Sequence, residues 1–168
     1  KISGCNALDK ILVDEDHPNF KDTLLTIEGA LKEKDVEVIG TEKVLDYIDS
    51  DKKVENDDVW YEEFLARKAA IGTVKGLENA IDMINKYSGG HSNIILTEDE
   101  EKALTFMEQI DSAAVYHNAS TRFTDGGQMG VGAELAISTD KLHHRGPLGL
   151  KQLVTIKYHV LGTGQIRK

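Results

Sequence analysis

Asp111-Ser112-Ala113-Ala114-Val115-Tyr116-His117-Asn118-Ala119-Ser120-Thr121-Arg122-Phe123-Thr124-Asp125-Gly126-Gly127 starts as an apolar run and turns abruptly polar. Residues 112–116 predict a short buried strand, bounded by Asp111 before it and by Gly126-Gly127 after the polar turn. A strand that delivers hydroxyls, an amide and a guanidinium into a glycine-rich loop is a common way to build a small-molecule site. Arg122 offers a planar fork that matches a carboxylate or phosphate. Ser120 and Thr121 add neutral donors, and the Asn118 amide could hold an oxyanion. The plainer alternative is a strand end with a polar turn in which Arg122 pairs with Asp125.

Working outward, the same alternation recurs on both sides. Upstream, residues 98–110 predict a helix with Leu104, Met107 and Ile110 on its buried face, preceded by a strand at 92–97. Residues 77–87 form an amphipathic pattern carrying Leu77, Ile81 and Ile84, closed by the stop Ser88-Gly89-Gly90-His91. Residues 64–71 read as a strand and residues 49–58 as a charged surface loop. A helix at 41–48 follows a strand at 36–40, with Thr41 as its N-cap. Phe20, Leu24, Ile27 and Leu31 recur at helical spacing after the breaker His17-Pro18-Asn19. Before them lies an apolar strand at 10–14, entered through a turn and a short helix over residues 1–9. Downstream come a small-residue stretch at 129–138, a turn into a short helix at 145–150, and a β-rich run at 154–160. Strands alternating with helices predict an α/β fold with a mainly parallel sheet flanked by helices.

Length and charge narrow the function. The 168 residues suit one domain able to bury a core. A formal net charge of -9 with dispersed basic residues argues against nucleic acid as a partner. No apolar run approaches the roughly 20 residues of a membrane span, which argues against a membrane partner. One cysteine excludes an internal disulfide framework, and with no signal peptide at the start it suggests a reducing cytoplasm. The start at Lys1, with Cys5 almost at the edge, suggests a piece of a longer protein.

Three chemistries can be tested on the residue pattern. His91, His117, His143, His144 and His159 show no H-x-x-x-H spacing and the chain has no C-x-x-C, so no metal site is expected. Gly130-Val131-Gly132 lacks the third glycine and the strand-helix context of a dinucleotide fingerprint. Cys5, between Gly4 and Asn6 at the expected helix start, is a candidate nucleophile, because backbone amides there favour a thiolate. The alternative is an inert packed thiol.

Cys5-Asn6-Ala7 with Ile11-Leu12-Val13, then His91, Asp111-Ser112-Ala113-Ala114-Val115 and above all Asn118-Ala119-Ser120-Thr121-Arg122-Phe123-Thr124-Asp125-Gly126 resemble the gamma-glutamyl phosphate reductases (glutamate-5-semialdehyde dehydrogenases) of the aldehyde dehydrogenase superfamily. The resemblance continues through Gly130-Val131-Gly132-Ala133-Glu134, Ile137-Ser138-Thr139, Arg145-Gly146-Pro147-Leu148-Gly149-Leu150 and Gly164-Gln165-Ile166-Arg167, so it covers essentially the whole chain. Gly4 stands where the family usually has a larger residue, Gly127 where it often has an acidic one, and His144 where it often has alanine. The resemblance implies a catalytic domain over residues 1–150 and a C-terminal β arm over residues 151–168 that serves oligomerisation. It implies that the N-terminal nucleotide-binding domain is largely absent and that the piece alone is inactive.

The activity implied by this resemblance is NADPH-dependent reduction of L-glutamyl 5-phosphate to L-glutamate 5-semialdehyde, in proline biosynthesis, through a thioester on Cys5. Asn118, Ser120, Thr121, Arg122 and Phe123 are then expected at the substrate, and Glu63 at the nicotinamide ribose. The implied partners are other copies of the chain and glutamate 5-kinase. Two other readings are a non-catalytic fragment or assembly module, and a cysteine acyl-transfer enzyme that needs no nicotinamide.

Overall fold

The structure, a computed structural model, describes residues 2–168; Lys1, where the expected opening turn begins, lies outside the described residues. In chain order the elements are β1 (Lys10–Asp14), α1 (Phe20–Lys32), β2 (Glu37–Gly40), α2 (Glu42–Leu45), β3 (Lys52–Lys53), α3 (Asp58–Tyr61), β4 (Lys68–Val74), α4 (Gly76–Tyr87), β5 (Ser92–Ile95), α5 (Glu100–Gln109), β6 (Ala114–His117), β7 (Ala136–Ser138) and β8 (Gly146–Leu148). Short 3-10 turns cover Thr121–Phe123 and Leu150–Leu153.

Two parallel sheets carry the molecule. The first has the order β1-β4-β2-β3, with Ile11 beside Ile71 and Val38 beside Ala69. Strands β1, β2 and β4 carry apolar side chains on both faces, as a sheet covered by helices on both sides requires, whereas β3 at the edge is two exposed lysines. Val13, Val38 and Ile71 pack with Leu24 of α1 and with Val44 and Ile48 on one face. Ile39 and Ala70 pack with Trp60 and Phe64 on the other, against which Met83 and Tyr87 of α4 also rest. The second sheet pairs β5 with β6, Ser92 beside Ala114 and Ile95 beside His117. Ile81 of α4 joins Phe106 and Ile110 in the cluster under it, with Leu77, Ile84, Ile95 and Val115 packed around them. Helix α4 is therefore apolar toward both sheets, Met83 and Tyr87 resting on the core of the first and Ile81 lying in the core of the second. The α/β architecture with a mainly parallel sheet agrees with expectation; among the described residues only the small β7–β8 hairpin is antiparallel.

Several boundaries differ from the sequence reading, each for a local reason. No helix follows Cys5: residues 2–7 are turns, closed by the Ala7 amide donating to the Gly4 carbonyl at 2.8 Å. The strand expected at 64–71 begins at Lys68, because Phe64 turns into the core beside Trp60 and Leu65 takes a φ of 48°. The charged stretch 49–58 is not wholly loop. Ser50 accepts from the Gly40 amide and donates to the Val38 carbonyl, and Asp51 accepts from the Val38 amide at 2.7 Å, so polar side chains fasten β3 to the sheet edge. Thr41 precedes α2 in extended backbone, but its hydroxyl makes no capping bond.

Helix α5 starts later than expected because Asp99 caps it, its carboxylate accepting from the amides of Glu101 and Lys102. Its inward face is Ala103, Phe106 and Ile110; Leu104 and Met107, expected inside, are 59% and 44% exposed. The β-rich run at 154–160 forms no strand pairing among the described residues, and Val154, Ile156, Tyr158 and Val160 are 71–90% exposed. Among the described residues no helix is long and apolar enough to cross a membrane.

Candidate active site

Two segments far apart in sequence meet at the candidate site: the loop of residues 4–8 that leads into β1, and the polar segment that follows β6. Cys5 is exposed at the first. Its neighbour Asn6 is buried and makes the junction. The Asn6 amide Nδ2 donates to the Thr124 carbonyl at 2.9 Å and to the Arg122 carbonyl at 3.3 Å. Its Oδ1 accepts from Arg122 Nη1, and its backbone carbonyl accepts from Thr121 Oγ1 at 2.8 Å. The 3-10 turn at Thr121–Phe123 makes these contacts possible, since it presents the Thr121 hydroxyl and the Arg122 and Thr124 carbonyls together. Ser120 starts that turn by accepting from the Arg122 amide at 3.2 Å.

The residues expected at the substrate divide in two. Thr121 and Arg122 are brought to the Cys5 loop. Ser120 and Phe123 lie exposed beside them, Phe123 with 53% of its surface open. Asn118 faces away: with φ at 51°, its Oδ1 accepts from the Thr97 amide and its Nδ2 donates to the Thr97 carbonyl, locking the end of β6 to the end of β5. Arg122 does not pair with Asp125, whose carboxylate accepts from the amides of Gly127 and Gln128. With no helix behind it, Cys5 has no aligned helix amides. The Arg122 guanidinium instead lies against the two residues next to Cys5 in the chain, Gly4 and Asn6.

Below the turn runs a polar chain that residue types alone do not disclose. Thr124, 1% exposed, holds its hydroxyl 2.7 Å from Ser92 Oγ and 2.8 Å from the Tyr116 hydroxyl. Ser92 in turn lies 2.7 Å from His91 Nδ1. Burial lowers the His91 pKa from its ordinary 6.5, against the pull of the Glu63 and Glu134 charges nearby. Glu134 also accepts from the Gly126 amide at 2.7 Å. Glu63 is exposed. Its segment is held to the foot of β1, where Lys10 donates to the Glu62 carbonyl at 2.7 Å and lies 3.6 Å from the Phe64 ring centre. Among the described residues no three His, Cys, Asp or Glu side chains converge as metal ligands.

Sequence gave signals for Cys5 and for the 118–123 run, but the role of Asn6 depends on partners at least 115 positions away. Only its place beside the cysteine could have drawn attention to it.

Comparison with known proteins follows the same residues. Residues 50–137 match the model of the aldehyde dehydrogenase family. The chain is similar, at 49% identity over 167 residues, to the gamma-glutamyl phosphate reductase of Dictyoglomus thermophilum, covering 99% of this chain and 39% of that protein. The crystal structure of the gamma-glutamyl phosphate reductase of Thermotoga maritima superimposes with a TM-score of 0.91 at 47% identity, covering 99% of this chain and 40% of that one. The corresponding Saccharomyces cerevisiae structure matches at 29% identity with a TM-score of 0.53, over 75% of this chain and 32% of its own. This chain thus spans about two fifths of the length of the Dictyoglomus and Thermotoga proteins.

Proposed function

Because the chain belongs to the aldehyde dehydrogenase family, we propose that it is the catalytic part of a gamma-glutamyl phosphate reductase, acting in the cytoplasm in proline biosynthesis. One observation carries the reading: the exposed Cys5 sits on a loop hydrogen-bonded directly to the Thr121–Thr124 segment, where Arg122 supplies a cation. The substrate is L-glutamyl 5-phosphate. Cys5 Sγ, having given up its proton, bonds to the acyl carbon while the bond from that carbon to the phosphate oxygen breaks, leaving a thioester and inorganic phosphate. Arg122 offers its fork to an anionic end of the substrate, with Ser120 as a neutral donor, Phe123 as an exposed apolar wall, and Thr121 behind them donating to the Asn6 carbonyl. The oxyanion takes the Cys5 amide.

A nicotinamide cofactor, NADPH in this reading, supplies the hydride that takes the thioester to the aldehyde. Glu63, exposed near the His91 side of the site, suits the hydroxyls of its ribose. The described residues contain no glycine fingerprint at a strand-helix turn to cradle its phosphates. In this reading the cradle lies on a part of the reductase outside these residues. Residues 151–168 add their alternating apolar side chains to another copy of the protein, which gives a homo-oligomer, and glutamate 5-kinase supplies the acyl phosphate.

The test is Cys5→Ser in a reductase that contains this sequence as its catalytic part. Semialdehyde formation from L-glutamyl 5-phosphate and NADPH should vanish while the circular dichroism spectrum is kept. Turnover close to that of the unaltered protein would remove Cys5 from the mechanism.

A further inference from the structure

We propose that Asn6 is a positioning residue for this reaction: it fixes the Cys5 loop on the Thr121–Thr124 segment and so sets the direction from which the thiol meets the acyl carbon. The inference rests on the reading of Cys5 as nucleophile. Asn6 is buried next to an exposed cysteine about 3.8 Å away along the chain, so whatever holds Asn6 holds Cys5. Within residues 4–8 the described structure has one local backbone bond, the Ala7-to-Gly4 turn. The remaining order comes from across the site, through the two bonds donated by Asn6 Nδ2, the one accepted by Oδ1 and the one accepted by its carbonyl.

The receiving side is itself held. Thr124 is fixed at its hydroxyl by Ser92 and Tyr116, one from each strand of the second sheet. The tie therefore links a loop entering the first sheet to a turn leaving the second. A primary amide suits the task because it combines two donors and an acceptor on one plane. A carboxylate of the same shape would keep the bond to Arg122 but turn an oxygen toward two carbonyls. Gly4 completes the fit. A Cβ there would stand 2.5 Å from Arg122 Nη1, so the missing side chain is the space through which the guanidinium reaches Asn6.

The experiment acylates a reductase that contains this sequence as its catalytic part with acetyl phosphate, reading the Cys5 thioester by intact mass, and alkylates it in parallel with iodoacetamide, a reagent that makes little demand on direction. A thioester on the unaltered chain that is absent from Cys5→Ser supports the underlying reading. No label, or equal label on Cys5→Ser, retires that reading and this inference with it. Asn6→Asp should lower acylation about 100-fold, the scale of an ångström-level misplacement of a reacting group. Its alkylation should stay within about threefold of the unaltered chain, with the melting temperature retained. If Asn6→Asp does not fold, Thr121→Val decides by the same criteria, since it cuts the tie from the other side; it should lower acylation about tenfold. Acylation within about threefold in a folded variant, or acylation and alkylation falling together with the melting temperature, would overturn the assignment.

Discussion

At Gly4 the absent side chain gives Arg122 its route to Asn6, so the guanidinium is tied to the two residues that bracket the exposed Cys5. Arg122→Lys tests which matters more, since lysine keeps the charge and loses the fork. On the anionic acyl phosphate kcat/KM should fall by about 2–4 kcal/mol, on the order of 30- to 1000-fold, with a much smaller loss on an uncharged acyl substrate. Equal losses on both substrates, together with a lower melting temperature, would make Arg122 a support for Asn6 and nothing more. His91 supplies a pH signature. Burial lowers its pKa below 6.5, so between the two values the unfolded chain binds more protons than the folded one. Stability from this residue is therefore present above about pH 6.5 and declines as the pH falls through the window below it. His91→Gln should flatten the melting-temperature profile between about pH 7 and pH 5. Asp111, whose pKa the hydrogen bonds from Lys141 and Arg145 hold below 3.8, acts only at lower pH and should lose its contribution in both proteins alike. An unchanged slope in the variant would show that His91 is not the group responsible. At this scale residue types were legible and partners were not. Cys5 and the 118–123 run announce themselves by chemistry, whereas the Asn118 side chain is committed to Thr97, which lies 21 positions upstream and becomes a neighbour only once β5 and β6 pair.

Elements were legible where one local signal dominated. Strand β1, helix α1 after its proline break and helix α4 ahead of Gly89 stand close to where periodicity puts them. Helix α5 shows the limit, because Leu104, Met107 and Ile110 and the observed Ala103, Phe106 and Ile110 both keep helical spacing. The Asp99 cap and the neighbouring α4 decide between the two faces. Phe106→Ala should cost about 3–5 kcal/mol in a denaturant melt, while Leu104→Ala should stay within about 0.5 kcal/mol. The reverse ranking would restore the other face. The edge strand β3 was hidden for a different reason: Lys52 and Lys53 have no strand-like pattern, and the ladder is extended by the side chains of Ser50 and Asp51. Phe64, Leu65 and Ala66 look like strand residues, but β4 starts only at Lys68, because Phe64 packs with Trp60 against Ile39 and Ala70.

Across the whole molecule, helix α4 unites two parallel sheets and the Asn6 tie joins the loop entering one to the turn leaving the other. The arm beyond Leu153 contributes nothing to either core, yet carries apolar side chains at alternate positions. Such a segment has the pattern of an edge strand awaiting a partner. Removing residues 154–168 should leave the thermal melt nearly unchanged and reduce the assembled mass measured by light scattering. An unchanged mass would remove the arm from assembly. The tie also dates the site. Asn6 and Thr124 are 118 positions apart, so at ordinary rates of synthesis the cysteine leaves the ribosome on the order of ten seconds before its partners exist. Loop closure over that span must await both sheets. Until then Cys5 is an undirected thiol on a growing chain, and it gains an aim only when the last third of the fold arrives.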